Sequence, residues 1–211
     1  MAAPLFMPAL QNKPVVRSML LDVDSTLYAC NPVFIKYLAQ LHDVHVREED
    51  INEWSFWLNH GISLEQWLEL IESYLHSDAE IGAAIPYPGV VETLQDWHAR
   101  GVEIHVVSAR HPTTAAATEA WLRTHAVPFT DVAFDMDIDK LAYARQQSLN
   151  LVIDDKPSFL SECVEAGVPV ATIRYAYNSN VIAAHPQIIA ADDWHELRRR
   201  LEGKFRFERN G

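Results

Sequence analysis

From residue 90 to residue 201 the chain alternates short apolar runs of strand length with segments of helical periodicity, and this rhythm constrains the fold more than any other feature. Helices are expected over 90–100, 114–124, 140–147, 157–166 and 193–201. Strands are expected over 102–107, 132–134, 149–153 and 168–173, with a short edge at 188–189 and a first strand, VVRSMLL, over 15–21. Strand–helix–strand succession joins parallel strands by right-handed crossovers and leaves helices on both faces. The implied fold class is α/β, a three-layer core around a parallel sheet. With 211 residues, 49 % of them hydrophobic, the chain can bury such a core without metals or disulfides to staple it.

The rhythm is interrupted once. Residues 28–87 hold no convincing strand, and amphipathic helices are expected over 49–59 and 64–75, broken at His60-Gly61, with apolar faces built from Trp54, Trp57, Trp67, Leu68, Ile71 and Leu75. The segment closes at Pro86-Tyr87-Pro88-Gly89. The expected organisation is therefore an N-terminal arm (1–14), a core (15–27 and 88–202), a small helical cap inserted after the first strand (28–87) and a frayed C-terminal tail (203–211). No stretch approaches the run of about 20 apolar residues that a bilayer requires, so no membrane partner is expected. The arm has three prolines and no basic residue before Lys13, unlike a secretory signal. Cys30 and Cys163 lack paired metal-ligand spacing, and a reducing cytoplasm is the default for such a chain. With 17 basic against 29 acidic side chains the formal charge is −12, which disfavours a long nucleic-acid partner but not a small phosphorylated one.

Chemistry gathers at the strand ends. Asp22 and Asp24 follow the first strand, Ser108 ends a later one, Asp154-Asp155 ends another, and Lys140 opens a helix. Open parallel sheets bind ligands beyond the carboxyl ends of their strands, where strand order reverses. Singly, each residue has a plain explanation. Turn chemistry accounts for Asp22 and Asp24, Asp155 could cap the helix at Pro157, Ser108 suits a turn, and Lys140 suits a solvated helix face. Their convergence on one rim is what points to a phosphoryl-transfer site. Carboxylates packed so closely resist full ionisation. A magnesium ion, which prefers hard oxygen ligands, resolves that conflict. Zinc is disfavoured because these motifs contain no His or Cys.

In this order the residues resemble the haloacid-dehalogenase (HAD) superfamily. Asp22-Val23-Asp24-Ser25-Thr26 matches its DxDxT signature, Ser108 in VVSAR its second motif, Lys140 in DIDK its third, and Asp154-Asp155 in VIDD its fourth, over roughly residues 15–175. The resemblance implies a Rossmann-like sheet with a helical cap after the first motif. It also implies a phosphatase in which Asp22 attacks phosphorus to form an aspartyl phosphate and Asp24 protonates the leaving oxygen, then activates water. Magnesium would be held by Asp22, the backbone carbonyl of Asp24, and Asp154. Ser108 and Lys140 would donate to the phosphoryl oxygens, and Asp155 would orient a metal-bound water or Lys140.

The segments IPYPGVVETLQDW, VVSAR and NLVIDDKP are similar to the 5′(3′)-deoxyribonucleotidase branch, which removes phosphate from nucleoside monophosphates; Ser25 stands where that branch usually has Gly. A nucleotide is then the expected substrate, with Trp54, Phe56 and Trp57 as candidate base-stacking rings and Ser25, Thr26 and Ala109 as further candidate contacts. Ser108-Ala109-Arg110, Thr118–Leu122 and Ile153-Asp154-Asp155 are also similar to the phosphatase domain of polynucleotide kinase/phosphatase enzymes, in which reading Arg110 could hold a second phosphate, although a surface or carboxylate-paired arginine is the more ordinary expectation. No GxxxxGK[ST] loop accompanies them. A general small-metabolite phosphatase and a non-enzymatic module that has kept the fold complete the alternatives.

Overall fold

The computed structural model describes residues 13–208, so most of the expected arm and the last residues of the tail lie outside the described residues. Strand β1 (Val15–Val16) is followed by β2 (Ser18–Leu21), and the expected single strand over 15–21 is thus divided at Arg17. The two halves join different sheets. β2 enters a six-stranded parallel sheet with β3 (Glu103–Ser108), β4 (Asp131–Phe134), β5 (Val152–Ile153), β6 (Val170–Ile173) and β7 (Ile189–Ala191), in the spatial order β4-β3-β2-β5-β6-β7. β1 pairs instead with β8 (Arg206–Phe207). The chain steps outward from β2 to β3 and β4, then returns to β5 on the other side of β2. That reversal is where a ligand crevice is expected.

Period-two alternation sends side chains to opposite faces. Met19, Leu21, Ile104, Val106, Ile153, Ala171 and Ile189 face one core, closed by α4 (Val90–Ala99), α5 (Ala115–Thr124) and α9 (Trp194–Lys204) through Leu94, Trp97, Trp121, Trp194 and Leu197. Leu20, Val107, Val152, Val170 and Ala190 face a second core under α6 (Lys140–Gln146) and α7 (Pro157–Glu165), which contribute Ala144, Phe159, Leu160 and Cys163. The three-layer α/β arrangement read from the sequence is the one observed.

Between β2 and β3 lies a helical segment with its own apolar cluster of Leu38, Phe56, Trp57, Ile62, Trp67 and Leu70. It opens with α1 (Asn31–His42). The helix expected over 49–59 is instead two short 3-10 turns, Glu48–Asp50 and Phe56–His60. Arg47 and Asp50 bond each other around the first turn, and Gly61, at φ 75°, ends the second. The helix expected over 64–75 begins as α2 (Leu64–Leu70), capped reciprocally by Ser63 and Gln66, and widens into a π-helical turn over Ile71–Leu75. A short helix, α3 (Asp78–Ala83), was not anticipated, although Ser77 caps it through the Glu80 amide as a Ser-x-x-Glu pattern allows. Nor was α8 (Ser179–Ala184).

The tail expected to fray from residue 203 is ordered as far as the described residues run. α9 extends to Lys204, and β8 then pairs with β1 because Phe207 stacks on Trp97 at 4.1 Å between ring centres. Lys13, the first described residue, donates to the Glu202 carbonyl at 2.9 Å. Among the described residues no helix is long and apolar enough to cross a membrane.

Trp97 is fully buried and also donates its indole N–H to Glu202. Trp97→Ala is expected to lower the unfolding free energy by about 3–5 kcal/mol, as for other large-to-small core truncations. Urea denaturation measures it; a change under about 1 kcal/mol would mean that the Trp97–Phe207 stack does not tie the two termini to the core.

Candidate active site

Strand register sets the site. Leu21 aligns with Ile153, so the next residues, Asp22 and Asp154, leave the sheet side by side. The Asp22 amide continues the ladder by donating to the Ile153 carbonyl at 3.0 Å, and the Asp154 amide does the same to Ala171 at 3.2 Å. Both carboxylates are buried, as are Asp155 and Ser108. After Asp22 the chain turns: Thr26 and Leu27 donate their amides to the Val23 carbonyl, and Ser25 takes a left-handed backbone with φ 55°.

Lys140 closes the space between the two strand ends. Its ammonium donates to Asp22 Oδ1 at 2.5 Å and to Asp154 Oδ2 at 2.7 Å, with 11 % of the side chain exposed. Lys140 is the first residue of α6, where the helix dipole disfavours a cation. Asp139 caps the helix by accepting from the Ala142 amide at 2.8 Å, and the two carboxylates supply what the helix end does not. Burial opposes the Lys140 charge, yet Asp154 and Asp22 raise its pKa well above the ordinary lysine range. Burial likewise pushes the Asp22 carboxyl up to about 7 against the pull of Lys140, with repulsion from Asp154 and Asp24 adding to it. Asp154 Oδ1 accepts from the Lys156 amide at 2.8 Å, so Asp154, not Asp155, organises the turn into α7.

Asp24 faces a different cation. Arg110 donates from Nε to Asp24 Oδ2 at 2.9 Å and from Nη2 to Oδ1 at 2.7 Å, while its Nη1 donates to the Thr118 hydroxyl at 2.7 Å. Tyr28 and Cys30 donate to Asp24 Oδ1, and His76 Nε2 lies 3.4 Å from Oδ2. Burial works against ionisation of Asp24, but the Arg110 guanidinium overcomes it and holds the carboxyl well below the usual range. Arg110 is 1 % exposed and does not line the cleft. The expectation that it could hold a second phosphate is corrected here, because its donors are directed at Asp24, Tyr28 and Thr118.

Asp155 completes the carboxylate group. One ligand oxygen each from Asp22, Asp154 and Asp155 lies within 4.8 Å of the others. Tyr177 donates to Asp155 Oδ2 at 2.6 Å, and Asn178 donates to the Asp155 carbonyl at 3.3 Å. Burial, then repulsion from Asp154 and Asp22, raises the Asp155 pKa well above its ordinary value. Three buried carboxylates sharing one ammonium leave negative charge uncompensated, and their donors are hard oxygens. This set fits a magnesium ion better than a soft transition metal.

A cleft of about 370 Å³ opens above these groups, between the core and the helical segment. Asp22, Asp24, Ser25, Ser108, Ala109, Lys140, Asp154 and Asp155 form its polar end, while Phe34, Trp54, Phe56, Trp57, Trp67 and Leu68 form its apolar end. All three candidate rings therefore reach it, in unequal ways. Phe56 and Trp57 are 3 % and 8 % exposed and belong to the local core, Trp57 stacked on Trp67 at 4.3 Å; Trp54 is 43 % exposed and meets Tyr177 edge-on at 5.6 Å. Thr26 does not line the cleft. Its hydroxyl is buried without a partner among the described residues, and its carbonyl accepts from the Trp194 indole.

Sequence reasoning missed His76; the run Arg174–Asn178, just beyond the strand expected over 168–173, is expected from sequence either to border the pocket mouth or to be a surface loop, and Tyr177 lines the cleft. Tyr175 stacks on Tyr177, accepts from the Tyr87 hydroxyl at 2.6 Å, and donates to the Ser25 carbonyl at 2.6 Å. Nothing local marks His76, which follows the π-helical turn, although such turns are frequent at functional sites.

No family model matches the chain. It is 28 % identical over 187 residues to a protein of Oceanobacillus iheyensis named "Putative nucleotidase", covering 83 % of this chain and 94 % of that one. A Bacillus cereus protein of the same name is 27 % identical over 134 residues, covering 62 % and 66 %. Among solved structures, a haloacid dehalogenase-like hydrolase from Streptococcus pneumoniae aligns at a TM-score of 0.65 with 15 % identity, covering 88 % of this chain and 99 % of that one. A HAD family hydrolase from Deinococcus radiodurans, solved with bound phosphate and sodium, aligns at 0.59 with 14 % identity, covering 85 % and 93 %. The chain thus has the haloacid-dehalogenase fold.

Ser25 pays for its left-handed backbone, a conformation that costs a residue with a Cβ about 1–2 kcal/mol. Ser25→Gly is expected to hold or raise the melting temperature, and Ser25→Val to lower it. Thermal unfolding monitored by circular dichroism checks the order; Val above Gly would contradict the left-handed assignment.

Proposed function

We propose that this chain is a magnesium-dependent phosphomonoester hydrolase of the haloacid-dehalogenase superfamily, with Asp22 as nucleophile and a nucleoside monophosphate as substrate. The observation that carries the proposal is the buried Asp22 carboxylate at a strand end, bridged to Asp154 by Lys140 at the polar end of a cleft whose other end is aromatic.

In the first step an Asp22 oxygen attacks phosphorus, the P–O ester bond breaks, and Asp24 gives a proton to the departing alkoxide. In the second step Asp24 takes a proton from water as that water attacks the phosphorus of the aspartyl phosphate, freeing Asp22 and inorganic phosphate. The low pKa of Asp24 suits the second step directly. For the first, the negative charge of an arriving phosphate raises the cost of Asp24 ionisation and favours its protonated form. Ser108 and Lys140 donate to the equatorial phosphoryl oxygens. Asp22, Asp154 and the backbone carbonyl of Asp24 would hold magnesium, with Asp155, fixed by Tyr177, beside them. When bound, the ion supplies charge neutralisation for the phosphate and for the carboxylates around it.

Two features support a nucleotide. The cleft sets an apolar wall that includes Phe34, Trp54, Phe56, Trp57 and Trp67 beside its carboxylates, and both sequence relatives carry a nucleotidase name. The helical segment serves as the cap that completes this specificity. A 3′-phosphorylated polynucleotide is less well supported, since Arg110 is committed beneath Asp24 and the net charge is −12. Free, buried Cys30 and Cys163 are compatible with a reducing cytoplasm.

Asp22→Asn is expected to fold normally and to lose phosphate release entirely, and chelation with EDTA is expected to stop the wild type until magnesium is restored. Full metal-dependent activity in Asp22→Asn would remove the nucleophile assignment. For substrate class, kcat/KM is compared for deoxynucleoside monophosphates, sugar phosphates and a 3′-phosphorylated oligonucleotide; a preference of about tenfold or more for the oligonucleotide would defeat the mononucleotide reading. Trp54→Ala is expected to raise KM for the preferred nucleotide about tenfold, the scale of one lost base–aromatic stack, while leaving KM for p-nitrophenyl phosphate unchanged.

A further inference from the structure

Arg110 has the surroundings of an internal strut. Its side chain is 0 % exposed, against 25 % for Asp24, and Thr118, which receives its third bond, is itself 0 % exposed. Burying a guanidinium costs several kcal/mol unless its donors are met, and here they are met on three sides. Nε and Nη2 take the two oxygens of Asp24, Nη1 takes Thr118, and the Tyr28 hydroxyl lies against Nη2. Thr118 stands on α5, packed under the sheet, so the guanidinium is anchored to the core independently of the carboxylate that it grips.

Asp24 needs such an anchor. It sits on a turn beside Ser25, whose backbone is left-handed, and a short carboxylate there could otherwise rotate about its own side-chain torsions. Proton transfer tolerates little misplacement of the reacting groups. Rigid two-point bonding by a planar fork fixes both the direction and the plane of a carboxylate, which a lysine point charge cannot do.

We propose that Arg110 is a positioning residue for hydrolysis, holding the Asp24 carboxylate by both oxygens from inside the core and setting the face it presents to the cleft. This rests on the phosphatase reading above. Arg110 touches neither the phosphate nor the nucleophile; it acts through Asp24.

The two half-reactions separate this role from a purely structural one. p-Nitrophenolate is a good leaving group and departs without help from an acid, so Asp22 can be phosphorylated by p-nitrophenyl phosphate even when Asp24 is misplaced. Breakdown of the aspartyl phosphate still requires Asp24 to activate water. In stopped-flow measurements with magnesium, Arg110→Lys and Arg110→Ala are expected to release a burst of about one nitrophenolate per enzyme, followed by turnover at least about a hundredfold slower than wild type, the usual scale of acid–base catalysis. KM should stay within about threefold. In an Asp24→Asn background, Arg110→Lys should cost nothing further, because the group it positions is gone.

If Arg110→Ala fails to fold, Arg110→Lys and Thr118→Val carry the test. Thr118→Val, which removes only the anchor of Nη1, should give a smaller fall that also vanishes in the Asp24→Asn background. The proposal is overturned if folded Arg110→Lys turns over within about threefold of wild type, or if it lowers activity by the same factor with and without Asp24. A wild type that hydrolyses neither p-nitrophenyl phosphate nor any nucleotide overturns the phosphatase reading and this proposal together. An active wild type beside an unaffected Arg110→Lys overturns this proposal alone.

Discussion

Burying ionised carboxylates is among the costliest things a protein interior can do, and this fold gathers buried Asp22, Asp154 and Asp155 at one rim with the partly exposed Asp24 beside them. The rest of the site follows from how that charge is divided. Two cations with little exposure are available, and they take different partners: Lys140 bridges Asp22 and Asp154, and Arg110 grips Asp24. Two aspartates only two positions apart are consequently driven in opposite directions, Asp22 up to about 7 and Asp24 well below its ordinary value. Environments that push neighbouring carboxyls apart are the means by which one site can run nucleophilic and acid–base chemistry together. Asp155, which has neither cation to itself, is stabilised by the Tyr177 hydroxyl and by the Asn178 amide at its carbonyl.

This division depends on the sheet more than on the loops. Parallel pairing of Leu21 with Ile153 and of Leu21 with Val106 brings three strand ends to one edge. A one-residue slip of β5 would exchange the two faces of the strand and carry Asp154 away from Asp22. Leu151 and Ile153 pack into one core and Val152 into the other, so such a slip would send each side chain into the opposite core and disrupt the packing of both. Apolar packing thereby fixes the spacing of the charges.

The core was legible in the sequence for the same reason. Strand ends, their polar termini and the helix opening at Lys140 are all announced by changes in local periodicity, and the carboxylates sit at those changes. What could not be read is whatever depends on contacts between distant segments. For Arg110 the sequence left a phosphate-binding, a surface and a carboxylate-paired arginine open; Asp24, and Thr118 behind it on α5, select the last. Tyr177 reaches Asp155 across 22 positions and His76 reaches Asp24 across 52, and neither pairing has a local signature. The helical segment misled in another way: Trp54 and Trp57 have helical spacing, but the backbone between them is a bend and a 3-10 turn, so one ring points to the cleft mouth and the other into the local core. The charged tail is held as far as it is described because Phe207, stacked on Trp97, and Phe205 pack against the large core despite the composition around them.

The separateness of the cores bears on how specificity and chemistry can vary independently. The helical segment closes around its own cluster, which touches the large core chiefly through Phe34, Ile71 and Tyr175. Substitutions among Trp54, Leu64 and Leu68 change the lining of the cleft without entering either core of the sheet. The rim has no such freedom, since each of its carboxylates is held by a group that itself is buried or anchored. The exception is the aromatic bridge, where Trp54 packs edge-on against Tyr177 and Tyr177 holds Asp155. Trp54 at the cleft mouth is thus one ring removed from Asp155, so the wall formed by the helical segment bears on the orientation of the buried carboxylates.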